Sequence, residues 1–143
     1  MKGMVGKAVE IFDTHNAQMY KAGLISWLAE GACINPSILL SDYVTYKEIN
    51  NTHVEATVTY HGVEGTGVFA FGEDGLLQSF ESDERQEEEI QGVMTPIGWR
   101  AEYKDYQETN GLLIPRIMQA VKVYPDREVV YFDSSNMDIT YYK

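Results

Sequence analysis

The sequence is poor in cysteine, in cations and in long apolar runs, and each shortage removes a class of protein. Cys33 is the single cysteine in 143 residues, so no internal disulfide forms and no cysteine-based zinc cage can be assembled. Lys and Arg number 11 against 22 Asp and Glu, for a formal net charge of −11. Such a surface repels nucleic acid and anionic lipid headgroups. The cations are scattered from Lys2 to Lys143 without a basic stripe, whereas binding a phosphate backbone needs them clustered, so no nucleic-acid partner is expected. The longest apolar stretch is broken by Glu30 and Asn35 and falls short of the ~20 residues of a membrane-crossing helix, so no transmembrane segment is expected. Residues 1–10 lack the apolar run of a signal peptide, which points to the cytoplasm for the chain as given. The alternative is a piece excised from a longer, membrane-attached parent.

What is present is an ordinary globular composition. Hydrophobic residues make up 44% and charged residues 23%, which excludes a wholly disordered chain. The length fits one domain over residues 1–143, large enough to bury a core of its own.

Hydrophobic periodicity divides the chain. Ala17, Tyr20, Leu24, Trp27 and Leu28 recur at helical spacing, with Asn16 as a candidate N-cap and Gly31 weakening the far end. Asn35-Pro36 reads as a second, short helical start. Residues 4–12 are ambiguous between strand and helix. Beyond Ser41 the period falls to two: Val54, Ala56, Val58 and Tyr60 alternate with His53, Glu55, Thr57 and Thr59. Further strands are expected over 66–71, 76–83, 99–107, 114–124, 128–133 and 137–142. They are separated by Gly-rich turns, by an acidic connection and by Asn110-Gly111, a strong hairpin signal. Helices first and hairpin-linked strands afterwards predict an α+β fold. Its N-terminal helices would pack on an antiparallel meander of about six to seven strands, curled into a half-barrel.

The chemistry-bearing residues are few. His53 and His61 share one strand-turn unit, but along an extended chain they stand about 26 Å apart, too far to ligate one ion. No metal site and no cofactor is expected. Gly62, Gly65 and Gly67 join two strands, so they read as a turn and not as a phosphate loop, which must enter a helix. The acidic run Glu87-Glu88-Glu89 reads as a solvated loop or strand edge. Asp83 and Arg85, two apart on a strand, are expected to share one face, with Glu30 of the helix within reach of Arg85. That group is either an ion pair fixing helix to sheet or a polar site at the mouth of an apolar cavity. Phe69, Trp99, Tyr103, Tyr106, Tyr124, Tyr131 and Phe132 supply core packing, and those of outward parity would line a wall.

Several short segments also recur in a recognisable order. They are Leu28-Ala29-Glu30, Pro36-Ser37-Ile38-Leu39-Leu40, Tyr46-Lys47-Glu48-Ile49-Asn50, Gly67-Val68-Phe69-Ala70-Phe71, Asp74-Gly75-Leu76, Asp83 with Arg85, Trp99 through Asp105-Tyr106, Asn110-Gly111 with Pro115, and Val130-Tyr131-Phe132-Asp133. Over nearly its whole length the chain resembles the C-terminal portion of an uncharacterised, mainly bacterial family known only as a domain of unknown function. It departs from that pattern at Tyr46 and near Val123, where the family often carries Trp. The resemblance implies a curled sheet similar to lipoprotein carriers (LolA-like), with further N-terminal sequence in the parent. It brings no catalytic residue. Glu30, Arg85, Trp99 and Tyr106 are shared positions.

Three functions follow as expectations. The first is a non-enzymatic domain binding an apolar or amphipathic small molecule, a lipid, or a lipidated or apolar segment. Glu30 and Arg85, with Asp83 beside them, would set the polar end, and Phe69, Trp99 and Tyr106 would line the wall. The second is a structural module that pairs through a sheet edge, either as a homo-oligomer or with an N-terminal partner segment. The third is a small acid–base enzyme using Glu30 or Asp83 with Arg85, which requires a carboxylate of raised pKa in a cleft.

Overall fold

Leu24, Ile25, Leu28, Ala29 and Cys33 recur every three to four residues and therefore lie along one face of a helix. In the computed structural model this stripe belongs to one continuous helix, α1 (Lys2–Ile34). The structure describes residues 2–135 and 137–140, with side chains from residue 17 onward. Asn16 lies inside α1 and does not cap it, and the ambiguous stretch at 4–12 is helical. A 3-10 turn (Pro36–Leu40) follows, with Pro36 in the first turn, where a missing N–H is tolerated.

Seven strands complete the chain: β1 (Val44–Glu48), β2 (His53–Tyr60), β3 (Val63–Phe71), β4 (Leu77–Glu88), β5 (Met94–Thr109), β6 (Leu112–Val123) and β7 (Glu128–Ser134). They form one antiparallel sheet in sequence order, β1 to β7. The α+β class and the meander are as the sequence implies, but the expected half-barrel is not. The sheet is open, with β1 and β7 as unpaired edges. The physical reason is that α1 already lies on the apolar face, so the strands need not wrap around to bury it. The N-terminal helical layer is likewise one helix and a 3-10 turn.

Three strands differ in extent from the reading of the sequence. β1 was not signalled by periodicity, because only Val44 of its five residues is buried. The acidic connection after Asp83 is strand: β4 runs on to Glu88 and pairs with Met94–Ile97 of β5. The last expected strand is absent over residues 137–140, where the Met137 amide donates to the Arg116 carbonyl (2.8 Å); residues 141–142 lie outside the described residues.

The two faces of the sheet are chemically opposite. Away from α1, Arg100 donates to Glu102 (2.9 Å) and to both carboxylate oxygens of Glu128 (3.0 and 2.7 Å), while Lys104 pairs with Glu102 (2.7 Å). Toward α1, Ile25, Leu28 and Ala29 are fully buried against Ala56, Phe69, Phe80, Trp99 and Ala101. Phe80 lies at the centre, its ring centroid 4.7 Å from that of Phe69 and 6.4 Å from that of Trp99. Tyr103 is buried among them and donates its hydroxyl to the Ala29 carbonyl (2.7 Å), tying β5 to the helix backbone.

β3 makes room for this packing with glycine. A β-carbon on Gly65 would meet Ile25 Cγ1 at 3.1 Å, and one on Gly67 would lie 2.2 Å from Phe80 Cζ and 2.7 Å from the Glu81 carbonyl oxygen. Gly67→Ala is expected to lower the unfolding free energy by about 1–3 kcal/mol, the range of overpacked cores. Urea denaturation followed by circular dichroism measures it. An unchanged midpoint at constant slope would show that the core has slack at this point.

Candidate functional site

A seven-stranded sheet is wider than one helix. With strands about 4.8 Å apart the sheet spans roughly 29 Å, whereas a helix with its side chains covers about 10–12 Å. Apolar hollows therefore flank α1. The first, about 390 Å³, lies between the helix and β1–β2 and is bounded by Trp27, Tyr43 and Tyr60. The second, about 320 Å³, lies by the end of the helix and is bounded by Leu39, Tyr46, Phe69 and Leu77. The third, about 380 Å³, lies toward β6 and β7, with Ser26, Glu30 and Ile34 of α1 on one side and Trp99, Met118, Ala120 and Tyr131 on the other.

The third hollow has Glu30 in its lining and Arg85 packed against two of its lining residues, Ser26 and Trp99. Trp99, 4% exposed, donates its indole N–H to the Tyr131 hydroxyl (2.7 Å), joining β5 to the edge strand. The Arg85 guanidinium lies over the Trp99 ring, 4.6 Å from its centroid, and donates to Ser26 Oγ of the helix at 3.2 Å. Burial pulls Arg85 below its ordinary value; Tyr131 and, more weakly, Glu30 act in the opposite direction. Glu30 lines the hollow but remains exposed.

Asp83 is not part of this group. The ladder between β4 and β5 shifts by one residue between Ser82 and Arg85, so Asp83 and Glu84 together oppose Gly98. The bulge turns Arg85 toward the helix with Trp99. It turns Asp83 away, with a carboxylate oxygen 3.6 Å from where a Gly98 β-carbon would stand. The expectation that spacing by two puts Asp83 and Arg85 on one face is corrected here: the extra residue breaks the alternation.

Phe69 and Tyr106 are also apart from Arg85. Phe69, 3% exposed, is core and borders the second hollow. Tyr106 donates to the Leu77 carbonyl (2.6 Å), and burial pushes its hydroxyl up to about 12. Of the residues named from sequence, the fold thus brings together Glu30, Arg85 and Trp99. Tyr131, named among the late-strand aromatics, joins them, and Ser26, which completes the arrangement, carried no distinguishing sequence signal.

The acidic run holds a second departure. Glu87 is neither a loop residue nor free: Lys122 and the Tyr124 hydroxyl (2.6 Å) both donate to it, and those hydrogen bonds lower its pKa. Among the described residues, no group of three His, Cys, Asp or Glu side chains is arranged to hold a metal ion, and no helix is long and apolar enough to cross a membrane.

Burial sets a pH dependence. Desolvation raises the Cys33 thiol from 9.0 to about 11 and moves the Tyr103 hydroxyl upward too. Groups raised in the folded state contribute stability that is complete below their unfolded pKa and is lost as pH rises toward the folded one. Unfolding free energy is therefore expected to hold level through neutral pH and to fall above about pH 9, by up to about 1.4 kcal/mol per pH unit for each such group. Denaturation midpoints from pH 7 to 11 measure this, and Cys33→Ala should flatten the early part of the fall.

Comparison with curated proteins and with solved structures returned no match in either case. One family profile aligns with residues 1–134. On that alignment, which covers nearly the whole sequence, the chain belongs to the family of unknown function DUF6544.

Proposed function

We propose that the chain is a single binding domain, without catalytic activity, that takes an apolar or amphipathic small molecule or lipid segment in the hollow between α1 and strands β5–β7. The observation that carries this reading is the composition of the hollow. Trp99, Met118 and Ala120 provide an apolar wall and Glu30 a charge at its margin, while Arg85, packed on Trp99 beside the hollow, supplies the opposite charge to orient a polar end. Its volume of about 380 Å³ falls in the range of about 300–1,000 Å³ common for small-molecule sites. Acid–base catalysis has less support, because Glu30 and Asp83 are both exposed and the β4 bulge directs Asp83 away from the hollow.

Titration with medium-chain fatty acids or fluorescent lipid analogues is expected to give a saturable change in Trp99 emission. Ala120→Phe, which fills the hollow, is expected to abolish it. A linear, unsaturable response across such a panel would refute the reading.

A second reading is favoured by the edge strand β7. Val130, Tyr131 and Phe132 are consecutive and exposed beside an unpaired ladder, a surface suited to strand addition by a second copy. Light scattering of the full chain would then give a dimer mass, and Val130→Lys would return it to the monomer.

A further inference from the structure

Packed against two lining residues of the hollow, Ser26 and Trp99, is a cation with no acid at ion-pair distance among the described residues. Lys21, Arg100, Lys104, Lys122 and Arg127 each pair with a carboxylate. Arg85, like Lys47 and Arg116, has none at ion-pair distance among the described residues, in a chain with 22 acidic residues against 11 basic ones. It is nevertheless half-buried, and a charge withdrawn from water is unfavourable unless something compensates it. Ser26 Oγ, the Trp99 ring and the Tyr131 hydroxyl compensate in part. None of these is a carboxylate, and two hydroxyls do not use all five N–H donors of a guanidinium. A guanidinium whose face is covered by an aromatic ring keeps its edge free for a planar or tetrahedral oxyanion.

Resting on the binding reading above, we propose that the ligand of this hollow is a single-chain amphiphile with an anionic head. Its carboxylate or phosphate is held by the edge of Arg85, and its apolar chain lies against Met118 and Ala120. Three features narrow the class. The hollow, at about 380 Å³, is near the small end for ligand sites, so it suits a medium-length chain and not a whole phospholipid. The net charge of −11 opposes approach to an anionic membrane surface, so the molecule is taken up singly and the chain supplies much of the affinity. Glu30 lines the same hollow and acts against a second negative charge there, which favours a monoanion over a dianion.

The test is isothermal calorimetry on the full chain with decanoate, decyl phosphate, decanol, decyltrimethylammonium and inorganic phosphate. Decanoate should bind about tenfold or more tighter than decanol, the ratio expected for hydrogen bonds to a charged group, with decyl phosphate, mostly a dianion at neutral pH, between them. Arg85→Gln should bring them to the level of decanol, and Glu30→Gln should tighten them. Because Glu30 is exposed, that variant gives the proposal an independent check if Arg85→Gln does not fold. Equal binding of decanoate and decanol, or tighter binding of the ammonium, would overturn the anionic head and leave the binding reading intact. Inorganic phosphate as tight as decyl phosphate would overturn the amphiphile. No binding by any of the chain-bearing probes would overturn the binding reading and this proposal together.

Discussion

The contact between α1 and β3 is the constraint on which the rest depends. With no side chain at Gly65 or Gly67, Ile25 reaches the strand backbone and Phe80 lies across the gap. That places the helix over the middle of the sheet and makes Ile25, Leu28 and Ala29 inaccessible to water. Burial of this kind is the main favourable term in folding. It also decides where packing stops. One helix on seven strands leaves uncovered apolar ground on both flanks, so the hollows result directly from the ratio of widths.

Electrostatics divides along the same plane. On the face away from α1, charges meet one another in a cluster around the half-buried Arg100 and Glu102, with Lys104 and Glu128 at its exposed rim, and the group keeps that face polar. On the helix side charges are rare, and the one brought inward by the β4 bulge is Arg85. A single inserted residue thus separates Arg85 from Asp83 and sets it against Trp99 and Ser26 on the helix side. Bulges commonly re-aim a side chain in this way, and here the redirected group is a half-buried cation held by Ser26 and the Trp99 ring.

Legibility in the sequence followed how directly each feature depends on local pattern. The alternation over Val54–Tyr60 and the Asn110-Gly111 turn, with φ of 52° and 81°, are local and were readable. β1 was not, since an edge strand with one buried residue has no alternation to detect. The reach of β4 through Glu84–Glu88 was hidden because five polar residues resemble a loop until their pairing with Met94–Ile97 is known. Asn16 misled in the opposite direction: a good capping residue still sits within a helix when the turns on either side continue it.

The residues of the candidate site divide similarly. Glu30 belongs to the helix and Trp99 to the strand wall by periodicity alone, and Arg85 is on a strand by the same argument. The sequence by itself therefore determined the helix-then-meander order, the wet and dry faces and the absence of an internal disulfide, because each depends on composition or on neighbours within a few positions. Only the tertiary structure decided that the sheet stays open, that Asp83 leaves Arg85, and that Ser26 and Tyr131 close around Trp99. Those outcomes depend on the register between strands and on the distance of closest approach between layers, and neither quantity is encoded in any one segment.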